Sequence, residues 1–153
     1  MTDTSFEHDR IREVIAIARQ AAEKGNRPFG ALLVAADGSR LGSAENSQVT
    51  AGQVLAHAEM NLLHEVVQQY DQGVLASATL YTSAEPCAMC SGALFWSGVG
   101  RLVFALSNQR LHQIQKASSR MLAASAADVL AGAGRQVEIV GPVLESEAAA
   151  LFI

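Results

Sequence analysis

The sequence predicts one α/β domain built on a mixed β-sheet with helices on both faces. A helical segment and a two-stranded hairpin come first, and helices then alternate with strands to the end of the chain. That order of elements gives a sheet covered on both sides by helices. The chain has 153 residues, half of them apolar, which is enough for one core and suits a single domain over 1–153.

The opening helix and hairpin follow from periodicity and from turn residues. Apolar residues recur at helical spacing over 11–22, and the segment stops near Gly25. The apolar run 31–35 leads to Asp37-Gly38, a pair that favours a tight turn. A second strand is therefore expected at 40–45.

The remaining segments alternate between helix and strand. They comprise a helix carrying 62–70, a strand at 79–82, a helix at 87–97, a strand at 101–106, an alanine-rich helix over 111–130, a strand at 137–140 and a short helix from 144 onward. Gly132 and Gly134 close the alanine-rich helix. Neither an internal repeat nor a linker interrupts this order, as expected of one domain.

Composition and charge disfavour several classes of protein. The net charge of −4 and the pI near 5.5 disfavour a protein that holds a long polyanion, so nucleic acid is an unexpected partner. Residues 1–10 lack the apolar core of a secretory signal, and no run approaches the length of a membrane span. Two cysteines in C-x-x-C spacing favour a reducing compartment, so a cytoplasmic protein is expected.

Two short motifs carry the chemistry. His57-Ala58-Glu59 offers an imidazole and a carboxylate, and Pro86-Cys87-Ala88-Met89-Cys90 offers two thiolates. One nitrogen and two sulfur ligands leave a tetrahedral zinc ion one open position, as in catalytic rather than structural sites. Cys87 and Cys90 lie one turn apart on a helix face, and Pro86 suits the first turn of that helix. We therefore expect zinc on His57, Cys87 and Cys90, near the starts of two helices.

Each motif has a plainer alternative. A lone C-x-x-C pair is also typical of thioredoxin-like redox proteins, but such a pair leaves His57-Ala58-Glu59 unexplained. His64 lies two helical turns beyond His57 and is an alternative fourth ligand, although a surface histidine is the simpler interpretation. The order H-x-E followed by P-C-x-x-C is the signature of zinc deaminases, which favours a catalytic site.

On these motifs the chain resembles the cytidine-deaminase-like superfamily, in particular its nucleobase and transfer-RNA deaminase branch. The likeness extends to 28–31, 79–87 and 92–96, so it covers the first strand and the passage through the second motif. The resemblance implies a three-layer αβα fold with a mixed five-stranded sheet. It also implies one catalytic Zn²⁺ per chain and association into dimers or tetramers, with a homodimer expected here.

The resemblance further implies roles in the hydrolytic deamination of a small amino-heterocycle. Zinc-bound hydroxide is expected to attack the ring carbon that carries the amino group, with Glu59 as the proton shuttle. Asn46 matches the asparagine that hydrogen-bonds the substrate base, and its plainer alternative is a turn asparagine. Backbone groups near Ala58 and Ser83 are expected to help position the base. Phe29 and Trp96 are candidate walls of the pocket, with ordinary core packing as the alternative.

Several functions compete for this site. Guanine is the first expected substrate, because the Phe-Gly of the first strand and Phe95-Trp96 look most like guanine deaminases. Cytosine, or a related base or nucleoside, is second, because the approach to His57 and the segment 107–116 depart from the guanine deaminase pattern. A transfer-RNA adenosine deaminase is third, because only a mild basic cluster is present, formed by Arg101, Arg110, Lys116 and Arg120. A zinc-stabilised binding subunit is the non-enzyme alternative, which the presence of Glu59 disfavours.

Overall fold

The computed structural model describes residues 3–116 and 122–153. The helices are α1 (Thr4–Glu23), α2 (Ala58–Gln69), α3 (Gln72–Ala76), α4 (Ala88–Ser97), α5 (Asn108–Gln115), α6 (Ala126–Leu130) and α7 (Glu145–Ala149), followed by a 3₁₀ turn at Ala150–Phe152. The strands are β1 (Gly30–Val34), β2 (Arg40–Glu45), β3 (Thr79–Ala84), β4 (Arg101–Leu106) and β5 (Glu138–Val140). Across the described ranges, no helix has both the length and the apolar character needed to cross a membrane.

The five strands form one mixed sheet in the order β2-β1-β3-β4-β5. The hairpin partners β1 and β2 are antiparallel, as are β1 and β3, whereas β3, β4 and β5 run parallel to one another. The parallel pairs arise because a helical crossover separates β3 from β4 and β4 from β5. The predicted mixed five-stranded sheet is confirmed.

Each face of the sheet has its own core. On one face, Leu33 of β1 packs with residues of α2, α4 and α6. On the other face, Leu32 and Val34 of the same strand pack with residues of α1, α5 and α7. Because successive side chains of a strand point to opposite faces, a run that is apolar throughout fits a strand covered on both sides. The three-layer αβα arrangement is therefore confirmed.

The expectation of one alanine-rich helix over 111–130 is wrong for the described residues. Helix α5 ends at Gln115, its C-cap residue Lys116 has a left-handed backbone with φ of 52°, and residues 122–125 are not helical. A new helix starts at Ser125, whose side chain and Asp128 form a reciprocal capping box. Alanine favours helix by a fraction of a kcal/mol per residue, so such local signals override it. Residues 117–121 of the expected helix lie outside the described residues.

Gly30 lets α1 pack directly on the start of β1. A Cβ atom at this position would lie 2.5 Å from the carbonyl oxygen of Val14 and 2.8 Å from the backbone nitrogen of Ala18. Any side chain here would therefore push α1 off the sheet. The close approach fixes the chain direction at Phe29, the residue before Gly30, at the edge of the site described below.

Candidate active site

The two metal-ligand motifs occupy equivalent places in the fold. His57 is the N-cap residue of α2 and Cys87 is the N-cap residue of α4, and both have an extended backbone. An N-cap side chain commonly accepts a hydrogen bond from the first helical turn, but neither of these side chains does so. The two side chains instead face one another. Their N-cap positions confirm the prediction that the two motifs begin helices.

The three predicted ligands lie at distances suited to zinc. The Nδ1 atom of His57 is 3.7 Å from Sγ of Cys87 and 3.5 Å from Sγ of Cys90. Zinc bond lengths of about 2.0 Å to nitrogen and 2.3 Å to sulfur place tetrahedral N and S ligands about 3.5 Å apart. The donor set therefore fits one tetrahedral zinc ion with one position left for a further ligand. His64 is exposed and contacts Gln68, so the alternative fourth ligand gains no support.

The two thiols influence one another before any metal binds. A hydrogen bond between them lowers the pKa of Cys87 to about 4 and, together with burial, raises the pKa of Cys90. Cys87 is therefore a thiolate at the start of α4, where the helix dipole favours negative charge. A divalent cation held between the two sulfurs favours deprotonation of Cys90 as well.

Glu59 is a buried carboxylate beside the ligands and is not part of the ligand group. It lies in the first turn of α2, and 7% of its surface is exposed. Burial raises the pKa of Glu59 to about 7. A carboxylate with a pKa close to neutrality can both accept and release a proton at physiological pH, which is what general acid–base catalysis requires.

A cavity of about 430 Å³ opens in front of this group. Five predicted site residues line it: Phe29, Asn46, His57, Glu59 and Cys87. Cys90 is fully buried behind them. The volume falls within the range of small-molecule sites, and most of the lining is apolar with a few convergent polar groups. The arrangement can therefore hold a flat, polar heterocycle in contact with a metal and a proton-transfer group.

Phe29 is enclosed by other side chains. The Arg27 guanidinium lies 5.0 Å from the centre of the Phe29 ring, and the ring of Phe152 is 5.5 Å away at a tilt of 48°. Arg27 lines the same cavity. The cavity wall at Phe29 therefore combines an aromatic ring with the guanidinium of Arg27.

Ala58, Ser83 and Trp96 are not among the described residues that line this cavity. Ala58 is the first residue of α2, so its backbone N–H has no partner within the helix. The Ser83 hydroxyl accepts a hydrogen bond from the Gly30 N–H at 3.0 Å and so ties β3 to the start of β1. Trp96 is 82% exposed on α4. Direct substrate contact by these three residues stays a prediction.

Glu85 also lines the cavity, although no motif in the sequence singled it out. One carboxylate oxygen accepts the Asn108 N–H at 3.0 Å and the other accepts the Ala126 N–H at 2.7 Å. Glu85 thereby ties the starts of α5 and α6 to the segment immediately before Cys87. Its position before Pro86 was the only available hint, because both partners lie far along the chain.

Comparisons with known proteins agree with this geometry. Residues 4–106 match the family model described as the zinc-binding region of cytidine and deoxycytidylate deaminases, which is more than half of the chain. The matched segment contains all three metal ligands and Glu59. The family is zinc-binding, and His57, Cys87 and Cys90 are positioned to bind one zinc ion per chain.

Three individual proteins are informative. A probable cytosine deaminase of Schizosaccharomyces pombe is 40% identical over 140 residues, which span 90% of this chain and 85% of that protein. The tRNA-specific adenosine deaminase of Bacillus subtilis is 40% identical over 94 residues, 61% of this chain and 58% of that protein. The solved structure of guanine deaminase from Nitrosomonas europaea has a TM-score of 0.76 at 26% identity, covering 94% of this chain and 80% of that one.

Proposed function

Because this chain belongs to the cytidine and deoxycytidylate deaminase family, we propose that it removes the exocyclic amino group of a free nucleobase by hydrolysis. Cytosine is the first candidate and guanine the second. The observation that carries the proposal is Glu59, a buried carboxylate that stands beside three zinc ligands without being one of them. A binding subunit with a purely structural zinc ion has no need for such a group. We propose the whole of 1–153 as one catalytic domain.

Proton transfer by Glu59 is the central step of the proposed mechanism. Zinc, when bound by His57, Cys87 and Cys90, supplies the Lewis acidity that makes water a nucleophile at neutral pH. As the water oxygen bonds to the ring carbon, Glu59 takes one proton from it and delivers that proton to the adjacent ring nitrogen. Glu59 then moves the remaining water proton to the amino group. The carbon–nitrogen bond breaks, ammonia leaves, and the ring carbon retains the oxygen as a carbonyl.

The remaining site residues are proposed to hold the ring. Asn46 is 1% exposed and lines the cavity, and its carboxamide offers both a donor and an acceptor to a base edge. The free N–H of Ala58 at the start of α2 is a further donor. Phe29 and Arg27 form one wall, and a flat ring packs favourably against such a pair.

Cytosine ranks ahead of guanine for two reasons. The likeness to the probable cytosine deaminase covers nine-tenths of this chain at 40% identity, whereas the guanine deaminase structure is 26% identical. The aromatic pair that favoured guanine also lies elsewhere in the structure. Trp96 is exposed, and Phe95 packs between Trp96 and the Arg135 guanidinium, so neither ring is among the described residues that line the cavity.

A transfer-RNA substrate ranks third. The similarity to the tRNA-specific adenosine deaminase of Bacillus subtilis favours this substrate. The basic cluster expected at Arg101, Arg110, Lys116 and Arg120 is, however, weakened in the structure. Arg101 is engaged by Glu7 and Glu138 at the opposite end of β4 from α5. Arg120 lies outside the described residues. Binding of transfer-RNA phosphates by this basic cluster therefore has little support.

The deciding experiment is ammonia release by zinc-loaded protein from cytosine, guanine, adenine and their nucleosides. Turnover of one free base by the wild type, absent from the Glu59→Gln variant, supports the proposal and fixes the substrate. Inosine formation in transfer RNA without turnover of any free base overturns it in favour of the third candidate. The homodimer and the cytoplasmic location expected from the sequence stay predictions.

A further inference from the structure

We propose that Gln48 is a positioning residue, which fixes the orientation of the Asn46 carboxamide and thereby sets the affinity for substrate. Gln48 lies in the loop between β2 and α2, and its side chain lines the cavity together with Asn46 and Val54. The mechanism above assigns it no role. The inference rests on the proposed function, in which Asn46 contacts the base.

A continuous chain of hydrogen bonds links Asn46 to the backbone through Gln48. The Nε2 atom of Gln48 donates to the carbonyl oxygen of Val54 at 2.7 Å. The Oε1 atom of Gln48 accepts from Nδ2 of Asn46, also at 2.7 Å. The Oδ1 atom of Asn46 in turn accepts the backbone N–H of Gln48 at 3.0 Å.

Both ends of this chain permit only one orientation of the amides. The Val54 carbonyl can only accept, so the NH₂ group of Gln48 must face Val54 and its oxygen must face Asn46. The backbone N–H of Gln48 can only donate, so the Asn46 oxygen must face that N–H. The side-chain bond and the backbone bond therefore favour the same Asn46 orientation, and only the first of them depends on the glutamine side chain.

The surrounding loop holds Gln48 in place. Its carbonyl oxygen accepts the Gln53 N–H at 3.0 Å, and the Ala51 N–H bonds to the carbonyl of Ser47 at 2.8 Å. On the other side, the Asn46 N–H donates to the carbonyl of Phe29 at 3.0 Å. The pair is thus anchored both to the loop and to the segment that leads into β1.

The fixed orientation determines what Asn46 can offer to a ring. A carboxamide has two N–H donors and two lone pairs, and Gln48 uses one of each. One N–H and one lone pair remain, at positions set by Gln48. Rotation of the amide by half a turn would exchange donor and acceptor, and a base edge that matches one arrangement would clash with the other.

The kinetic test compares Gln48→Met with Gln53→Met in the zinc-loaded protein. Methionine keeps the length of the side chain and removes its hydrogen bonds. Gln53→Met removes a hydrogen bond of the same loop, from the Leu55 N–H to Oε1 of Gln53, without touching Asn46. We expect Gln48→Met to raise KM about tenfold, the loss of one net hydrogen bond, with a much smaller change in kcat. A KM that matches that of Gln53→Met overturns the proposal.

A second test does not depend on turnover. Hydrogen exchange of the Asn46 side-chain amide is followed by NMR in the wild type, with the resonance assigned by its loss in Asn46→Asp. One of the two protons should exchange slowly, because it is held by Gln48, and lose that protection in Gln48→Met but not in Gln53→Met. Equal, fast exchange of both protons in the wild type overturns the proposal. If the wild type deaminates no base, the proposed function fails, and this exchange measurement alone decides the role of Gln48.

Discussion

Phe152 packs against Phe29 with the ring centres 5.5 Å apart, so the 3₁₀ turn at Ala150–Phe152 touches a wall of the cavity. Such an aromatic pair contributes about 0.5–1.5 kcal/mol beyond its buried area. The Arg27 guanidinium also packs over the Phe29 ring. The position of this cavity wall therefore depends on a residue distant from it in sequence.

Substitution of Phe152 by alanine should weaken substrate binding more than it slows turnover. Without the supporting ring, Phe29 and Arg27 gain freedom in the unliganded site, and KM should rise about two- to tenfold. Steady-state kinetics on the preferred base provide the measurement. Ile153→Ala is the control, because Ile153 is 88% exposed. An identical KM in the two variants would remove Phe152 from the support of the site.

Glu59→Gln should abolish most turnover and leave zinc in place. Glutamine is close in shape to glutamate but cannot accept and release the proton, so kcat should fall about 100- to 10,000-fold. The measurement pairs kcat with zinc content by elemental analysis. Glu65→Gln, on the exposed face of the same helix, should behave as the wild type. Retained turnover in Glu59→Gln would exclude this residue as the proton shuttle.

Cys87→Ala should lose the metal and, with it, thermal stability. The variant removes one of three protein ligands and the thiolate at the start of α4. Because zinc binds the folded chain preferentially, loss of the ion should lower Tm. Added zinc should raise the Tm of zinc-stripped wild type but not that of the variant. Met89→Ala is the control, because Met89 lies between the two cysteine ligands without being one, and this variant should keep full zinc. Full zinc in Cys87→Ala would contradict its role as a ligand.

Glu85→Gln should loosen the starts of α5 and α6. Both carboxylate oxygens accept backbone N–H groups, and a glutamine would turn an NH₂ group toward one of them. The loss of one charged hydrogen bond should lower the free energy of unfolding by about 2 kcal/mol. Urea unfolding measures this change, and faster amide exchange at Asn108 or Ala126 would localise it. Exposed Glu23→Gln is the control, and equal unfolding midpoints would show that the bridge contributes nothing.

The metal site was predictable from the sequence because its ligands and the acidic residue lie in two short motifs. His57, Glu59, Cys87 and Cys90 occupy two runs of three and five residues, and the ligand types alone favour zinc with an open position. Both runs precede helices, and the structure places the first ligand of each at the N-cap. The alternation of strands and helices likewise predicted the sheet and its two covered faces.

The supporting residues were not predictable in the same way. Glu85 accepts hydrogen bonds from backbone N–H groups 23 and 41 positions away. Because every residue except proline carries such a group, the residue types there do not indicate the contact. Gln48 acts through hydrogen bonds to Asn46 and Val54 that any polar loop could form. The alanine-rich segment misled for another reason: the capping box at Ser125 and Asp128 starts a new helix where propensity favoured a continuous one.

A buried charged group that does not line the cavity gives a further stability prediction. Glu7 is 6% exposed, accepts the Tyr81 hydroxyl at 2.7 Å and pairs with two nitrogens of Arg101 at 3.1 and 3.2 Å. Burial and the bond to Glu7 raise the pKa of Tyr81, so the phenol remains a donor at neutral pH. Arg101→Met leaves Glu7 without its cation and should lower the free energy of unfolding by about 3–5 kcal/mol.

Urea unfolding of Arg101→Met and three comparison variants distinguishes the cost of an unpaired buried charge from the cost of lost side-chain packing. Tyr81→Phe removes one hydrogen bond to a charged group and should cost about 1.5–3 kcal/mol, less than Arg101→Met. Arg12→Met breaks an exposed pair with Glu147 and should change little, because solvent screens such pairs. The double variant Glu7→Met/Arg101→Met should be more stable than Arg101→Met alone, since it removes the uncompensated buried carboxylate. A double variant that is less stable than Arg101→Met would mean that side-chain packing, rather than the unpaired charge, accounts for the loss.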